Sequence, residues 1–271
     1  MVLRFDNIPH PAATTLKKDP KILVTKMVSI TPSINCPVPM PGWKRLVDVA
    51  WCLAALPMLA LFTLMVTIVM KIVSPGPVFF RQERVGYRGG RFMCYKFRTM
   101  FVEADSRIHQ RHCDDLIQSN APMAKMDARR DARVIPGGWL LRASGLDELP
   151  QLINVLRGEM SLVGPRPCMP YEYEEYLPWQ LERFRAIPGL TGLWQVSGKN
   201  RTTFEEMVRL DVHYAQNLSL WLDLKIILMT APALVVQISD TSRSRKSSNQ
   251  STSNYSAGVR ATIASDGLRE S

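Results

Sequence analysis

The stretch Val49–Met70, VAWCLAALPMLALFTLMVTIVM, runs for 22 consecutive residues without a charge, and its reading decides what fold the chain can adopt. As α-helix it extends about 33 Å, enough for the roughly 30 Å hydrocarbon core of a bilayer. A spanning helix is the first expectation, and two features oppose it. Pro57 lies eight residues into the run, where it removes a backbone hydrogen bond and bends the helix. Both flanks are also basic: Lys44 and Arg45 precede it, and Lys71, Arg81, Arg84, Arg88, Arg91, Lys96 and Arg98 follow, opposed only by Glu83. Positive flanks stay on the cytoplasmic side, so one span with two basic ends violates the usual asymmetry. A helix bent at Pro57 that leaves on the face it came from satisfies both flanks. Re-entrant and spanning helices both stand on this reading, with a buried core helix as the third alternative.

Outward from this run the chain divides by composition. Residues 1–42 mix Pro, Thr, Ser and Lys, with Pro32, Pro37, Pro39 and Pro41 near the end, and read as a disordered arm. Residues 43–73 carry the membrane helix, closed by Ser74-Pro75-Gly76-Pro77. Short strands follow: Val78–Phe80, then Arg91–Arg98 after a Gly86–Gly90 turn. In the second strand Phe92, Cys94, Lys96 and Arg98 share one face. Residues 101–120 are polar and helical in pattern, and helical spacing returns over 139–142 and 149–156. A second apolar stretch, 218–238, carries Asp223 and Lys225 and is interrupted by Pro232; it reads as an interfacial amphipathic helix or one packed on the soluble core. The Ser-rich tail, 239–271, lacks apolar periodicity and reads as disordered.

Charge and cysteine usage narrow the classes. The formal net charge is +10, with 7 Lys/Arg against 2 Asp/Glu in residues 1–45 and 22 against 19 in residues 46–238. The excess sits beside the apolar run, which suits an anionic membrane surface, and the near balance of the core argues against nucleic acid. Cys36, Cys52, Cys94, Cys113 and Cys168 are odd in number and form no CxxC, which points to a reducing compartment and away from a disulfide framework or zinc ribbon. The first 35 residues hold Lys17, Lys18, Lys21 and Lys26 and no uninterrupted apolar core, so no secretory signal is expected.

The chemistry concentrates in SGLDELPQLIN, Ser144–Asn154. The vicinal carboxylates Asp147 and Glu148 precede Pro150 at a helix start, where the dipole favours ionised groups and backbone N–H groups hold phosphate. Capping that helix is the plainer use of the same two residues. Gly164-Pro165-Arg166-Pro167 sets an arginine between two prolines, which lowers the entropy lost when the planar guanidinium engages a phosphate. Lys96 and Arg98 add cations on one strand face, and Arg129, Arg130, Arg133 and Arg142 add more. Carboxylates among fixed cations suit a polyanionic substrate with a divalent metal. Gly189-Leu190-Thr191-Gly192 is either a phosphate-cradling turn or a plain tight turn.

Taken in order, KFRTM (Lys96–Met100), LDELPQL (Leu146–Leu152), GEMSLVGPRP (Gly158–Pro167) and PGLTGLWQ (Pro188–Gln195) resemble the bacterial sugar transferase family, the monotopic polyprenyl-phosphate phosphoglycosyl transferases. The resemblance covers roughly residues 43–238. It implies transfer of a sugar-1-phosphate from a UDP-sugar to undecaprenyl phosphate, with release of UMP, at the start of exopolysaccharide or another glycan's assembly. It further implies a bacterial inner membrane location, a cytoplasmic catalytic domain of mostly α, α/β fold over 74–217, and a re-entrant helix broken at Pro57. Asp147 is matched to the nucleophile that forms an aspartyl-phosphosugar and Glu148 to its dyad partner, both near Mg²⁺. Arg166, with Pro165 and Pro167, is matched to a substrate contact, and Lys96 and Arg98 to the basic strand. Leu56 and Gly145 stand where relatives often carry serine. The motifs hold no readable code for the sugar and set no oligomeric state. A basic membrane adaptor is the non-enzymatic alternative, and it needs no vicinal carboxylates beside clamped arginines.

Overall fold

The computed structural model describes residues 40–101, 133–199 and 202–242, together with 111, 114–117, 119 and 121–123. The expected arm up to residue 39, the tail from residue 243, most of the expected polar helix over 101–120, and Arg129 and Arg130 lie outside the described residues. What is described is mostly helical, with four short strands in two sheets.

Helix α1, Gly42–Val73, takes in the whole apolar run. Helical conformation continues through Pro57, which gives up its bond to the Leu53 carbonyl without ending the helix. Ser74 ends it, extended at φ −150° and donating its N–H to Met70 O at 2.9 Å, while Lys71 in the last turn reaches Gly76 O at 3.0 Å. One stripe of α1 faces the rest of the protein. Cys52, Ala55 and Leu59 pack with Cys94, Leu152, Val155 and Met160; Phe62, Val66 and Met70 pack with Phe97 and Ile135. The steps of three and four between these α1 residues are those of a single helix face. The remaining faces stay apolar and exposed, Met58 at 76% and Ile72 at 77%.

Strands β1 (Phe79–Val85) and β2 (Arg91–Phe97) form an antiparallel hairpin with Phe79 opposite Phe97 and Val85 opposite Arg91. The first strand thus runs five residues past Phe80, where the sequence reading ended it, because cross-strand pairing carries its polar residues Arg81–Arg84. Helix α2 (Gly138–Ser144), a 3₁₀ turn (Leu146–Gln151) and helix α3 (Leu152–Arg157) lead to β3 (Ser161–Val163). After α4 (Pro170–Glu174) and a second 3₁₀ turn (Gln180–Arg185), β4 (Gly189–Thr191) pairs parallel to β3. The Gly189–Gly192 segment is therefore a strand and its exit. Its glycines serve backbone contact: a Cβ on Gly189 would stand 2.0 Å from Gly164 N, and one on Gly192 2.3 Å from Gly164 O.

Helix α5 (Leu193–Val196) and helix α6 (Phe204–Gln216) complete the main core, in which Phe204, Met207, Val208 and Tyr214 pack with Phe184, Trp194 and Val163. Thr203 and Glu206 close a reciprocal capping box at the start of α6. The last described element, α7, spans Leu220–Ser242. It continues through Pro232, where the sequence suggested a break, and passes Ile238, where the apolar stretch was expected to end. One face of α7 is docked on the protein, with Asp223, Ile226 and Gln237 buried, and that packing offsets the bond the proline removes. By length and composition α1 and α7 could each cross a membrane.

Candidate active site

The acidic pair owes its place to a reversal after α2. Gly145, at φ +72°, takes the left-handed conformation that turns the chain out of α2 and into the 3₁₀ turn; an L side chain is strained there, which suits glycine to this position. The turn closes with the Glu148 N–H donating to Gly145 O at 3.1 Å. Asp147 is buried and Glu148 half-exposed. Pro150 fixes the turn from within and α3 follows directly.

Three neighbours hold this segment. Lys96 on β2 places Nζ 2.8 Å from Glu148 Oε1. Asn154, fully buried, bolts α3 to β2: its Nδ2 donates to Met93 O at 2.7 Å, and its Oδ1 accepts the Tyr95 N–H at 3.2 Å. Arg45 at the start of α1 donates to Val155 O at 2.5 Å and Leu156 O at 2.6 Å, capping the far end of α3. Helix α1 is thereby tied to the helix that directly follows the pair.

Arg166 lies on a second, separately clamped loop after β3. Its N–H donates to Asp211 Oδ2 at 3.3 Å, its carbonyl accepts from Arg183 Nη2 at 2.8 Å, and its guanidinium stands 3.6 Å from Glu172 Oε2. Pro165 O accepts the Gly189 N–H at 2.9 Å, and Pro167 O accepts from Arg84 Nη1 at 3.2 Å. Beneath the loop Arg183 and Asp211 form an ion pair at 1% and 0% side-chain exposure, and Arg183 also donates to the Tyr176 hydroxyl at 2.5 Å. Burial pushes the Asp211 carboxyl up to about 6, against the pull of Arg183 and of the Arg166 N–H. Burial likewise raises the Cys94 thiol, and that of Cys168 to about 11, so both cysteines serve packing.

The structure thus brings Asp147, Glu148 and Lys96 together and holds Arg166, Pro165 and Pro167 on a rigid neighbouring loop. Arg98 is placed elsewhere. Its Nε donates to Pro77 O at 2.6 Å, its Nη1 to Ser74 Oγ at 3.1 Å and its Nη2 to Ser74 O at 2.5 Å, so its guanidinium closes the end of α1 instead of facing the pair. The residues that sequence reasoning missed are the supports: Asn154, Arg183, Asp211 and Glu172. Apart from Asn154, which ends the LDELPQLIN stretch, they lie outside the motifs; the one readable signal was a charge on an otherwise apolar helix face, as with Asp211 beside Met207, Val208 and Tyr214.

Two further ties join α1 to the rest. Lys44 is buried and its Nζ meets Asp223 Oδ2 at 2.6 Å, Val163 O at 2.8 Å and the Tyr214 hydroxyl at 3.0 Å. Asp48 Oδ1 accepts from Ser161 Oγ and from the Leu162 N–H, both at 3.0 Å.

The family model for bacterial sugar transferases matches residues 40–237, a range that contains both loops and all three ties. Among curated relatives, the exopolysaccharide production protein ExoY of Sinorhizobium fredii is 42% identical over 197 residues, 70% of this chain and 84% of its own length. A Caulobacter vibrioides protein named UDP-glucose:undecaprenyl-phosphate glucose-1-phosphate transferase is 39% identical over 220 residues, 78% of this chain and 77% of its own. The undecaprenyl-phosphate galactose phosphotransferase of Salmonella typhimurium is 39% identical over 160 residues, 59% of this chain and 34% of its own. With the family match spanning everything from the start of α1 to Gln237 in α7, the chain belongs to the bacterial sugar transferase family.

Proposed function

We propose that the protein transfers a sugar-1-phosphate from a UDP-sugar to undecaprenyl phosphate as the first step of exopolysaccharide assembly. The observation that carries this reading is the Asp147–Glu148 pair set on a rigid turn, with Lys96 at 2.8 Å from Glu148. The names of the relatives supply the substrate class. An Asp147 carboxylate oxygen attacks the sugar-bearing phosphorus of the nucleotide sugar; the bond from that phosphorus to the bridging oxygen breaks, and UMP leaves. An oxygen of undecaprenyl phosphate then attacks the same phosphorus, expelling the Asp147 carboxylate and forming the diphosphate-linked lipid sugar. Two displacements let a soluble donor and a lipid acceptor use the same site in turn.

Lys96 holds Glu148 beside the nucleophile and supplies positive charge where phosphate charge accumulates. Arg166, fixed at its own N–H and carbonyl, presents a planar fork to the nucleotide phosphates without first having to be ordered. Two adjacent carboxylates fit Mg²⁺, which is commonly held by one or two protein carboxylates and completed by substrate phosphates and water. Asp147 and Glu148 would hold it, and its chemistry there is neutralisation of the diphosphate. Among the described residues no group of three or more His, Cys, Asp or Glu competes for that role.

The same reading places α1 in one leaflet as a re-entrant helix at the cytoplasmic face of the inner membrane. Support comes from its two ends: Lys44 and Asp48 at one, and Ser74 held by Arg98 at the other, are bound to the same domain. A spanning helix would carry its ends to opposite faces.

The test is purified protein with undecaprenyl phosphate, Mg²⁺ and a panel of UDP-sugars, followed by UMP release and intact mass. The expected outcome is turnover with one donor and a phosphosugar adduct on Asp147, both lost in Asp147→Asn. Near-normal transfer by that variant would remove Asp147 from the mechanism.

A further inference from the structure

Helix α7 has two unlike faces. Trp221, Leu228 and Val235 are exposed at 77%, 77% and 63%, as suits a lipid surface. The opposite face runs along the elements that build the site. Thr230 Oγ1 lies 2.9 Å from Thr191 Oγ1 at the end of β4. Leu234 passes so close to Gly145 that a Cβ there would stand 3.6 Å from its Cδ2. One turn on, Gln237 is 5% exposed and uses both ends of its amide: Nε2 donates to Ala143 O at 2.9 Å, and Oε1 accepts from Lys199 Nζ at 2.7 Å.

A buried glutamine on a helix whose outer face is apolar is costly unless both ends are bonded. Here the two partners are not arbitrary. Ala143 is in the last turn of α2, whose free carbonyls have no partner within the helix, and Gly145 turns the chain directly from there into the acidic pair. Lys199 stands at φ +36°, a left-handed conformation that a non-glycine residue holds only when its surroundings fix it. One side chain therefore pins the end of α2 and a strained turn against the helix that meets the membrane.

We propose that Gln237 is a positioning residue for the acidic pair: through the Ala143 carbonyl it sets the angle at which α2 delivers Asp147 and Glu148. The inference rests on the reading of those two carboxylates as catalytic. It goes beyond that reading by assigning a role in the reaction to a residue of α7, outside both the acidic turn and the Arg166 loop.

The test compares wild type, Gln237→Met, Gln237→Glu and Lys199→Met as full-length protein in lipid nanodiscs, using the UDP-sugar that wild type turns over. Met keeps the volume and loses both bonds. Glu keeps an acceptor for Lys199 and loses the donor to Ala143. Expected is a fall in kcat of about tenfold or more in both Gln237 variants, the scale of a small misplacement of reacting groups. KM for the UDP-sugar should stay within about twofold, and amides 146–149 should exchange faster with solvent. Lys199→Met should lose less than either. Unchanged kcat in Gln237→Glu would overturn the assignment to Ala143. A fall in rate matched by an equal fall in folded protein would reduce Gln237 to a structural residue, and should Gln237→Met not fold, Gln237→Glu decides alone. Absence of turnover in wild type would sink the proposed function instead, and D147N inactivity with normal Gln237 variants would sink only this inference.

Discussion

The Arg183–Asp211 pair beneath the Arg166 loop permits a sharp energetic prediction. At 1% and 0% side-chain exposure neither charge has access to water, so Asp211→Ala leaves a guanidinium buried without its counterion. Breaking a buried pair in this way costs about 3–5 kcal/mol. For a body of this size, roughly 2–4 °C is lost per kcal/mol, which predicts a melting temperature lower by about 6–20 °C. Arg183→Met strands the carboxylate instead and should cost a similar amount. The double variant Arg183→Met/Asp211→Leu removes both charges and leaves the backbone N–H and carbonyl of Arg166 and the buried Tyr176 hydroxyl without these partners. Each is a neutral hydrogen-bonding group, so the loss is about 1–3 kcal/mol per group, less than an unpaired buried charge costs. The double should therefore be more stable than either single variant, with a coupling of several kcal/mol. Burial raises the Asp211 carboxyl to about 6 although Arg183 pulls it down, so part of the pair's attraction only offsets desolvation.

That shift also fixes a pH dependence. A carboxyl at 3.8 unfolded and about 6 folded binds its proton more tightly in the folded state. Its contribution to stability is present below about pH 4 and fades as pH rises through 6. The stability of the double variant relative to wild type should accordingly increase between pH 4 and pH 7. Thermal melts of the four proteins in one detergent or nanodisc system, across that range, measure both effects. Additivity of the two single losses to within about 0.5 kcal/mol would refute the buried-pair reasoning.

Three other outcomes follow from the geometry. Lys96→Met removes the ammonium beside Glu148 and should lower kcat by about a hundredfold, the scale for one preorganised electrostatic contact, with the melting temperature nearly unchanged; a change confined to KM would deny Lys96 a part in the chemical step. Arg98→Met should do the reverse, lowering the melting temperature while KM for the UDP-sugar stays put, since its guanidinium binds Ser74 and Pro77; a selective rise in KM would return Arg98 to the substrate. Pro57→Ala restores the bond to the Leu53 carbonyl and should straighten α1 toward crossing the bilayer, so that a cysteine placed at Gly76 loses same-side labelling by an impermeant reagent; unchanged labelling would assign the topology to the ties at Lys44 and Arg98 instead of the proline.

The acidic pair, Arg166 and the apolar helix were legible because each is local: a vicinal dipeptide, a proline-flanked arginine, an uncharged run. What stayed hidden depends on which residues meet across the fold. Strand alternation gives Lys96 and Arg98 one face, but Arg98 follows the last residue of β2 and its guanidinium is bonded to the carbonyls of Ser74 and Pro77. A shared face gives shared direction, not a shared partner. Asn154 sat in plain view at the end of LDELPQLIN, yet its bonds to Met93 and Tyr95 span about 60 residues of sequence, and no periodicity announces them.

Proline 232 exposes the same limit from the side of propensity. Judged alone, a proline in an apolar stretch ends a helix at about 3 kcal/mol. Its neighbours on α7 are not alone: Ile226 is buried in the main core, Thr230 meets Thr191 and Gln237 meets Ala143, on both sides of the break. Burying one residue of that size returns about 1.5–3 kcal/mol, so a helix docked before and after the proline survives it. The same logic governs Pro57, flanked by Cys52 and Ala55 on one side and by Leu59 and Phe62 on the other, all packed on the domain. In both helices the exposed faces are apolar and the docked faces carry the polar ties, which inverts the arrangement of a water-soluble protein. That inversion, more than the length of either helix, is what fits them to lie against lipid while holding the catalytic elements in register.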